Sequence, residues 1–363
     1  MKKLILLLPL WLMMYTSHSQ TTDSLDIKIG QMLMVGFSGQ QLDPADPIVQ
    51  DIRQGRLGGV ILFAKNIADT NSIIRLKQLT YGLQAQAPVP LFIAIDQEGG
   101  RVNRLKPKYG FPKSVTAAYL GALNNTDTTR FYAQLTAGTL AALGFNVNFA
   151  PVLDLASNPD NPIIAKYERA YSADPRVVAT HAGITIRQHS RLKVITVGKH
   201  FPGHGSSQHD THKGMADVTA TWQQNELFPY DSLIRAGLLN AVMSAHIVNR
   251  QLDPAGLPGT LSQRMLDSLL RQQLGFKGEG FSDDMQMHAI TRHYGLEKAI
   301  ELGLNAGLDV IIFSNNIQGS EERTVDAVHR IIRQLVEEGR IPRERINASY
   351  QRIMQLKRAF LYE

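Results

Sequence analysis

Leu91 to Leu105 reads LFIAIDQEGGRVNRL: an apolar run that ends at Asp96, then Glu98, two glycines, Arg101 and Arg104. A run apolar at every position, not at alternate ones, is the pattern of a parallel strand covered on both faces. Charged residues directly after such a strand cost desolvation energy unless they are paired or used. The same unit recurs on either side. Strands are expected near Met32–Phe37, Gly59–Phe63, Leu91–Ile95, Asn146–Ala150, Val194–Gly198, Ala241–Ala245, Gly278–Phe281 and Val310–Phe313. Between them lie stretches with helical spacing at Ser72–Ala85, Asp127–Leu143, Pro175–Ser190, Glu226–Ala236, Ser262–Leu274 and Leu296–Ala306. Eight strands alternating with helices predict an α/β fold of the (β/α)8 barrel type. A doubly wound sheet of the dinucleotide-binding kind needs G-x-G-x-x-G after its first strand, and Val35 to Gln41 does not supply it. Glu321 to Phe360 has long helical periodicity and is expected to cap the barrel. No linker or short repeat divides the chain, so residues 24–360 read as one domain ending just before Glu363.

Composition narrows the classes. The chain has 363 residues, 44% hydrophobic and 19% charged, enough for a large core and incompatible with a wholly disordered protein. The absence of cysteine excludes disulfides, thiol catalysis and Cys-based zinc sites. Met1 to Gln20 reads MKKLILLLPLWLMMYTSHSQ, with Lys2 and Lys3 before an apolar run and Ser17 and Ser19 at a small-x-small site. This is the order of a signal peptide, residues 1–19, and predicts an exported protein, periplasmic or secreted. The apolar run is shorter than the ~20 residues a span requires, so no membrane span is expected. Removing Lys2 and Lys3, with no acid, lowers the net charge from +6 to +4, which offers little to a nucleic-acid partner.

Reactive groups of a barrel belong at the C-terminal ends of its strands, and the polar residues here follow that rule. Strand three ends at Asp96, strand four near Asp154, strand five at Lys199 and His200, strand six at His246, and strand seven at Asp283 and Asp284. Singly, each has a plainer reading: a post-strand Asp as a helix cap, or a buried, hydrogen-bonded His246. The densest feature is Gly198–Gly214, GKHFPGHGSSQHDTHKG, where Asp210 stands two residues before His212. A histidine beside a carboxylate is oriented to trade protons near neutral pH. The rival reading of this loop is a histidine metal site, as in a metal-dependent amidohydrolase. No His-x-His follows the first strand to support it, and neither metal nor cofactor is expected.

Four motifs then occur in order: AIDQEGGRVNRL, NVNFAPVLD, GKHFPGHG followed by DTH, and LRQQLGFKGEGFSDD. With them the chain, from GQMLMVGF at Gly30 to AGLDVIIFSNN at Asn316, resembles glycoside hydrolase family 3, and most its compact β-N-acetylglucosaminidase branch. The resemblance implies Asp283 as nucleophile, His212 held by Asp210 as general acid and base, and a carbohydrate substrate, with terminal β-GlcNAc expected. It implies Asp96, Arg104, Arg169, Lys199 and His200 as groups that grip the sugar, to which the strand-six His246 is added. Ala170 stands where the family typically has Ser after the arginine. Retaining hydrolysis needs a carboxylate on one side of the glycosidic bond and a proton donor on the other. The alternatives are a GlcNAc-binding barrel without turnover, or a β-glucosidase, β-xylosidase or phosphorylase of the same family.

Overall fold

The computed structural model of the chain describes residues 24–210, 214–315 and 323–362. The expected signal peptide, residues 1–19, lies outside the described residues. Eight strands form the barrel: β1 Leu33–Gly36, β2 Gly59–Leu62, β3 Phe92–Ile95, β4 Val147–Asn148, β5 Ile195–Phe201, β6 Ala241–Ser244, β7 Glu279–Asp284 and β8 Val310–Phe313. Each pairs in parallel with its sequence neighbours, and β1 closes on β8 through Leu33–Ile311, Met34–Ile312 and Val35–Phe313. The (β/α)8 fold expected from the alternating pattern is therefore present.

Both faces of β1, β2, β3 and β8 are buried, which is why their sequences are continuous apolar runs rather than alternating ones. Inside the barrel the rings of Phe92 and Phe149 pack against Phe281 at 6.1 and 5.9 Å. This aromatic layer plugs the interior, so the barrel is a packed core with reactive groups above it. Outside, helices at Ser72–Gln86, Thr126–Ala142, Pro175–Arg191, Phe228–Arg235 and Leu296–Ala306 follow the expected spacing, while Arg264–Gln273 winds with wider i→i+5 turns. The start at Pro175 is set locally: proline occupies the first helical position and Asp174 accepts the Arg176 N–H.

The lower end is closed by Leu25–Gln31 and by Thr324–Glu337 and Arg343–Phe360. There Asp309, fully buried, accepts hydrogen bonds from Arg271 (2.6 Å), Arg345 (2.9 Å) and Arg352 (2.7 Å). Buried Lys357 donates to Gln31 Oε1 at 2.6 Å and to the Gly58 carbonyl at 2.9 Å beneath the Phe92 ring. Among the described residues no helix is long and apolar enough to cross a membrane.

Candidate active site

Two barrel strands depart from regular pairing, and both do so where their charged residues lie. On β7, Phe281 pairs with Val310 but Asp284 pairs with Ile312, so β7 spends one residue more than β8. On β5, Gly198 pairs with Val242 and Phe201 with Ser244, again one residue more than its neighbour. An extra residue bends a strand and re-aims its side chains. The bulge on β7 falls at Ser282–Asp283, where the Ser282 hydroxyl accepts the Ile312 N–H at 2.9 Å. The one on β5 falls at Lys199–His200.

Above the aromatic layer these strand ends surround a cavity of about 900 Å³. Its wall includes Asp96, Arg104, Arg169, Lys199, His200, Asp210 and Asp283, and its floor is apolar, with Ile61, Phe149, Met243 and Ile312. Seven of the nine residues singled out from sequence thus share one cavity. His212 lies outside the described residues. His246 is fully buried and absent from the cavity wall; its ring nitrogens meet the Thr260 hydroxyl (2.7 Å) and the Asp284 carbonyl (2.9 Å). The geometry makes His246 a brace under the β7 rim rather than a group that touches a ligand.

Asp96, Lys199, Glu98 and Arg169 form one network, which Arg104 joins at its edge. Lys199 Nζ lies 2.9 Å from Asp96 and 2.7 Å from Glu98. Arg169 forks onto Glu98 with two 2.8 Å bonds and gives a third to the Ile163 carbonyl at 3.0 Å. The last bond and the fork fix Arg169 without help from residue 170, where buried Ala170 leaves no hydroxyl to contribute. Arg104 reaches the other oxygen of Asp96 at 3.4 Å. Burial alone would raise the Glu98 carboxyl, but Arg169 and Lys199 outweigh it and hold Glu98 well below the usual carboxylate range. Asp96 is likewise lowered, with burial opposed by Lys199 and then Arg104. Glu98 is visible in the sequence as a polar residue of the strand-three end, yet nothing local marks it as the centre of this network, because Arg169 is 71 positions away.

His200 is held from behind. Asp154 accepts hydrogen bonds from its Nδ1 at 2.6 Å and from the backbone N–H groups of His200 (3.2 Å) and His204 (2.7 Å). That leaves His200 Nε2 towards the cavity, 3.3 Å from Arg169. Asp154, read from sequence as a strand-end acid, thereby sets the orientation of a wall residue. Glu98 and Arg101 enter the wall through a tight turn in which Gly99 (φ 103°) and Gly100 (φ 56°) adopt left-handed backbone.

At the β7 end the two neighbouring acids have separate fates. Asp284 is engaged by Ser314, through its hydroxyl and its N–H (3.1 Å), and burial raises its carboxyl. Asp283 accepts the Asp284 N–H at 2.8 Å and faces the cavity. The loop after β5 is held by two asparagines from the segment after β4. The Asn161 side chain donates to the His204 carbonyl (2.8 Å) and that of Asn158 to the Ser207 carbonyl (2.8 Å), leading the chain to Asp210 at the wall. Among the described residues no group of three or more His, Asp or Glu side chains gathers as a metal site.

A parallel barrel with an acidic and basic pocket over its strand ends, entered by an aspartate from strand seven, agrees with the glycoside hydrolase that the sequence motifs resemble. Residues 24–356 match the family model described as the N-terminal domain of glycosyl hydrolase family 3, and the chain belongs to that family. It is 34% identical over 299 residues to a β-hexosaminidase of Nitrosomonas eutropha, covering 80% of this chain and 82% of the relative. The structure of a family 3 β-N-acetylglucosaminidase from Paenibacillus sp. FPU-7 superposes with TM-score 0.85 at 34% identity; 93% of this chain is covered, and the chain spans 63% of that protein's length. The β-N-acetylhexosaminidase of Beutenbergia cavernae gives TM-score 0.80 at 28% identity, covering 92% of this chain and 98% of the other.

Proposed function

We propose that the protein is an exported, retaining exo-β-N-acetylglucosaminidase that removes terminal β-linked GlcNAc from wall fragments or other glycans. The observation that carries this reading is one shared cavity: Asp283 from strand seven and Asp210 from the strand-five loop face it together with the Asp96–Lys199–Glu98–Arg169 network. In the proposed reaction an Asp283 oxygen attacks the anomeric carbon as the bond to the leaving oxygen breaks, and His212 gives that oxygen its proton. Water then attacks the glycosyl-Asp283 ester, returns a proton to His212 and frees the carboxylate. Asp210 keeps the imidazole oriented and basic enough for the second half. Asp96, Lys199, Arg104, Arg169 and His200 hold the sugar. Lys199 and Arg104 pair with Asp96, Arg169 with Glu98 and His200 with Asp154 before a ligand arrives, while the buried Arg104 Nε has no hydrogen-bond partner, so most of the site is held in place before binding.

Support for GlcNAc comes from the relatives, which are named β-hexosaminidases and β-N-acetylglucosaminidases. Support for export comes from the order of charge, apolar run and small residues in Met1 to Gln20. The test is a panel of aryl β-glycosides with the wild type and Asp283→Ala. Turnover is expected for the β-GlcNAc member, falling about 10³-fold or more in the variant while the far-ultraviolet spectrum is unchanged. Binding of GlcNAc with no turnover of any member refutes the enzyme reading, and preference for the glucoside or xyloside refutes the sugar.

A further inference from the structure

The loop that carries Asp210 leaves β5 through Phe201–Ser207, and its root is pinned from below. Trp222 Nε1 donates to the Pro202 carbonyl at 3.1 Å, and Asp154 and Asn161 hold His204. One further contact is made by a carboxyl: Glu226 Oε2 accepts the Gly205 N–H at 3.1 Å. Glu226 is 1% exposed. It fits so closely under the loop that a Cβ on Gly203 would lie 2.7 Å from it, and one on Gly205 would lie 1.9 Å from the Leu155 carbonyl. Gly203 also has φ 121°. The two glycines of GHG are thus required by the approach of the loop to Glu226 and to the strand-four segment.

Among these anchors Glu226 stands apart. Among the described residues no basic side chain pairs with it, and its Oε1 is a buried oxygen without a hydrogen-bond partner, as is the Tyr230 hydroxyl in the same layer. The ionisable groups facing it are Asp154 and Tyr230, and neither offers positive charge. His204, on the loop itself, is held down to about 4 by burial, so it too is neutral near pH 7. Burial, with the Asp154 charge adding to it, pushes the Glu226 carboxyl up to about 7 and outweighs the Ser206 hydroxyl and the Gln223 and Gly205 N–H groups, which favour the ionised form. A neutral carboxyl is at home here. An ionised one stands buried beside another anion, and the loop must open to hydrate it.

We infer that Glu226 is a positioning residue for the acid/base loop: with its proton it seats the Gly203–Gly205 root and so keeps Asp210 at the cavity wall, and on losing the proton it unseats that loop. This deepens the proposed hydrolase reading and rests on it, because the consequence is felt through the proton donor of the reaction.

The experiment uses the full chain with Glu226→Gln and Glu226→Ala, two aryl β-GlcNAc substrates of good and poor leaving group, and kcat and KM from pH 5 to 9. Glu226→Gln keeps shape and an oxygen for Gly205 but has no proton to lose. It should retain kcat within about twofold at pH 6 and move the alkaline limb of kcat upward by about one pH unit. Glu226→Ala should lower kcat about tenfold for the poor leaving group, several-fold less for the good one, and leave KM unchanged. A Glu226→Gln profile that superposes on the wild type overturns the inference, as does equal slowing of both substrates by Glu226→Ala. Asp210→Ala separates the two levels. If it slows the poor substrate while Glu226→Gln changes nothing, only the Glu226 assignment falls; if Asp210→Ala is without effect, the acid/base loop itself falls.

Discussion

Replacing Glu98 by Gln tests the energetics of the site most sharply, because the change preserves shape and removes one charge. The carboxylate accepts three short bonds, from Lys199 at 2.7 Å and from two Arg169 nitrogens at 2.8 Å. The cations are almost fully buried, with side-chain exposures of 3% for Lys199 and 12% for Arg169. Glutamine keeps one acceptor, and its NH2 group must face a donor. Lys199 then shares a single carboxylate, Asp96, with Arg104, and Arg169 has no carboxylate within the fork. Removing one partner of a buried pair costs about 3–5 kcal/mol. At roughly 2 °C per kcal/mol for a domain of this size, the melting temperature should fall by ~6–10 °C at pH 7. The sign with pH is fixed by the lowered Glu98 carboxyl. A folded-state value below the ordinary 4.5 gives stability that is complete above 4.5 and is lost progressively as pH falls from there through the lower folded-state value. The gap between wild type and Glu98→Gln, measured by differential scanning calorimetry, should therefore be largest near neutrality and shrink below about pH 4. A gap under ~2 °C at pH 7, or one that persists undiminished at pH 3, refutes the reasoning.

Two further outcomes follow from residues that lie away from the cavity. Asp309→Asn, at the opposite end of the barrel, leaves three half-buried arginines around a neutral amide and should destabilise by about 3–5 kcal/mol; kcat and KM of the folded fraction at 20 °C should match the wild type, and a changed KM would contradict that separation. His246→Ala empties a fully buried site and takes one partner each from the Thr260 hydroxyl, which keeps Ser244 (2.9 Å), and the Asp284 carbonyl, which keeps the Met287 N–H (3.0 Å); it should cost about 2–3 kcal/mol in urea unfolding. Its KM for the aryl β-GlcNAc should stay within twofold, since the ring does not reach the cavity; a tenfold rise in KM would return His246 to the sugar-binding set.

The strands are legible because a covered parallel strand has no polar face, and β8 at Val310–Phe313 coincides with its apolar run. Their ends are less so, and for a physical reason. β5 runs on through Lys199 and His200, and β7 through Asp283 and Asp284, where the apolar pattern stops. Lys199, His200 and Asp283 fall at the two bulges, where regular pairing lapses, and Lys199, His200 and Asp284 are satisfied by Asp96 with Glu98, by Asp154 and by Ser314, partners that distance in sequence hides. β4 ends early because Ala150 N–H turns back to the Asn148 carbonyl and Pro151 has no N–H to offer the ladder. Most site residues can be found because the barrel rule places chemistry at strand ends. The rule cannot tell a wall residue from a brace, so His246 and Lys199 look alike in sequence and differ only in what surrounds them. Glu98 and Asp154 act through other side chains, and Glu226 through the Gly205 backbone. Local spacing carries no mark of that.

The claim that everything else serves is that the Asp283 carboxylate forms a bond to the sugar. Incubation with a slow-turnover 5-fluoro-β-GlcNAc fluoride, then proteolysis and mass spectrometry, reads this directly. One glycosyl adduct per chain is expected, on the peptide containing Ser282–Asp283–Asp284 and fragmenting to residue 283, with none in Asp283→Ala. An adduct on Asp96, Glu98, Asp210 or Asp284, or steady turnover of the reagent with no adduct at all, would contradict it.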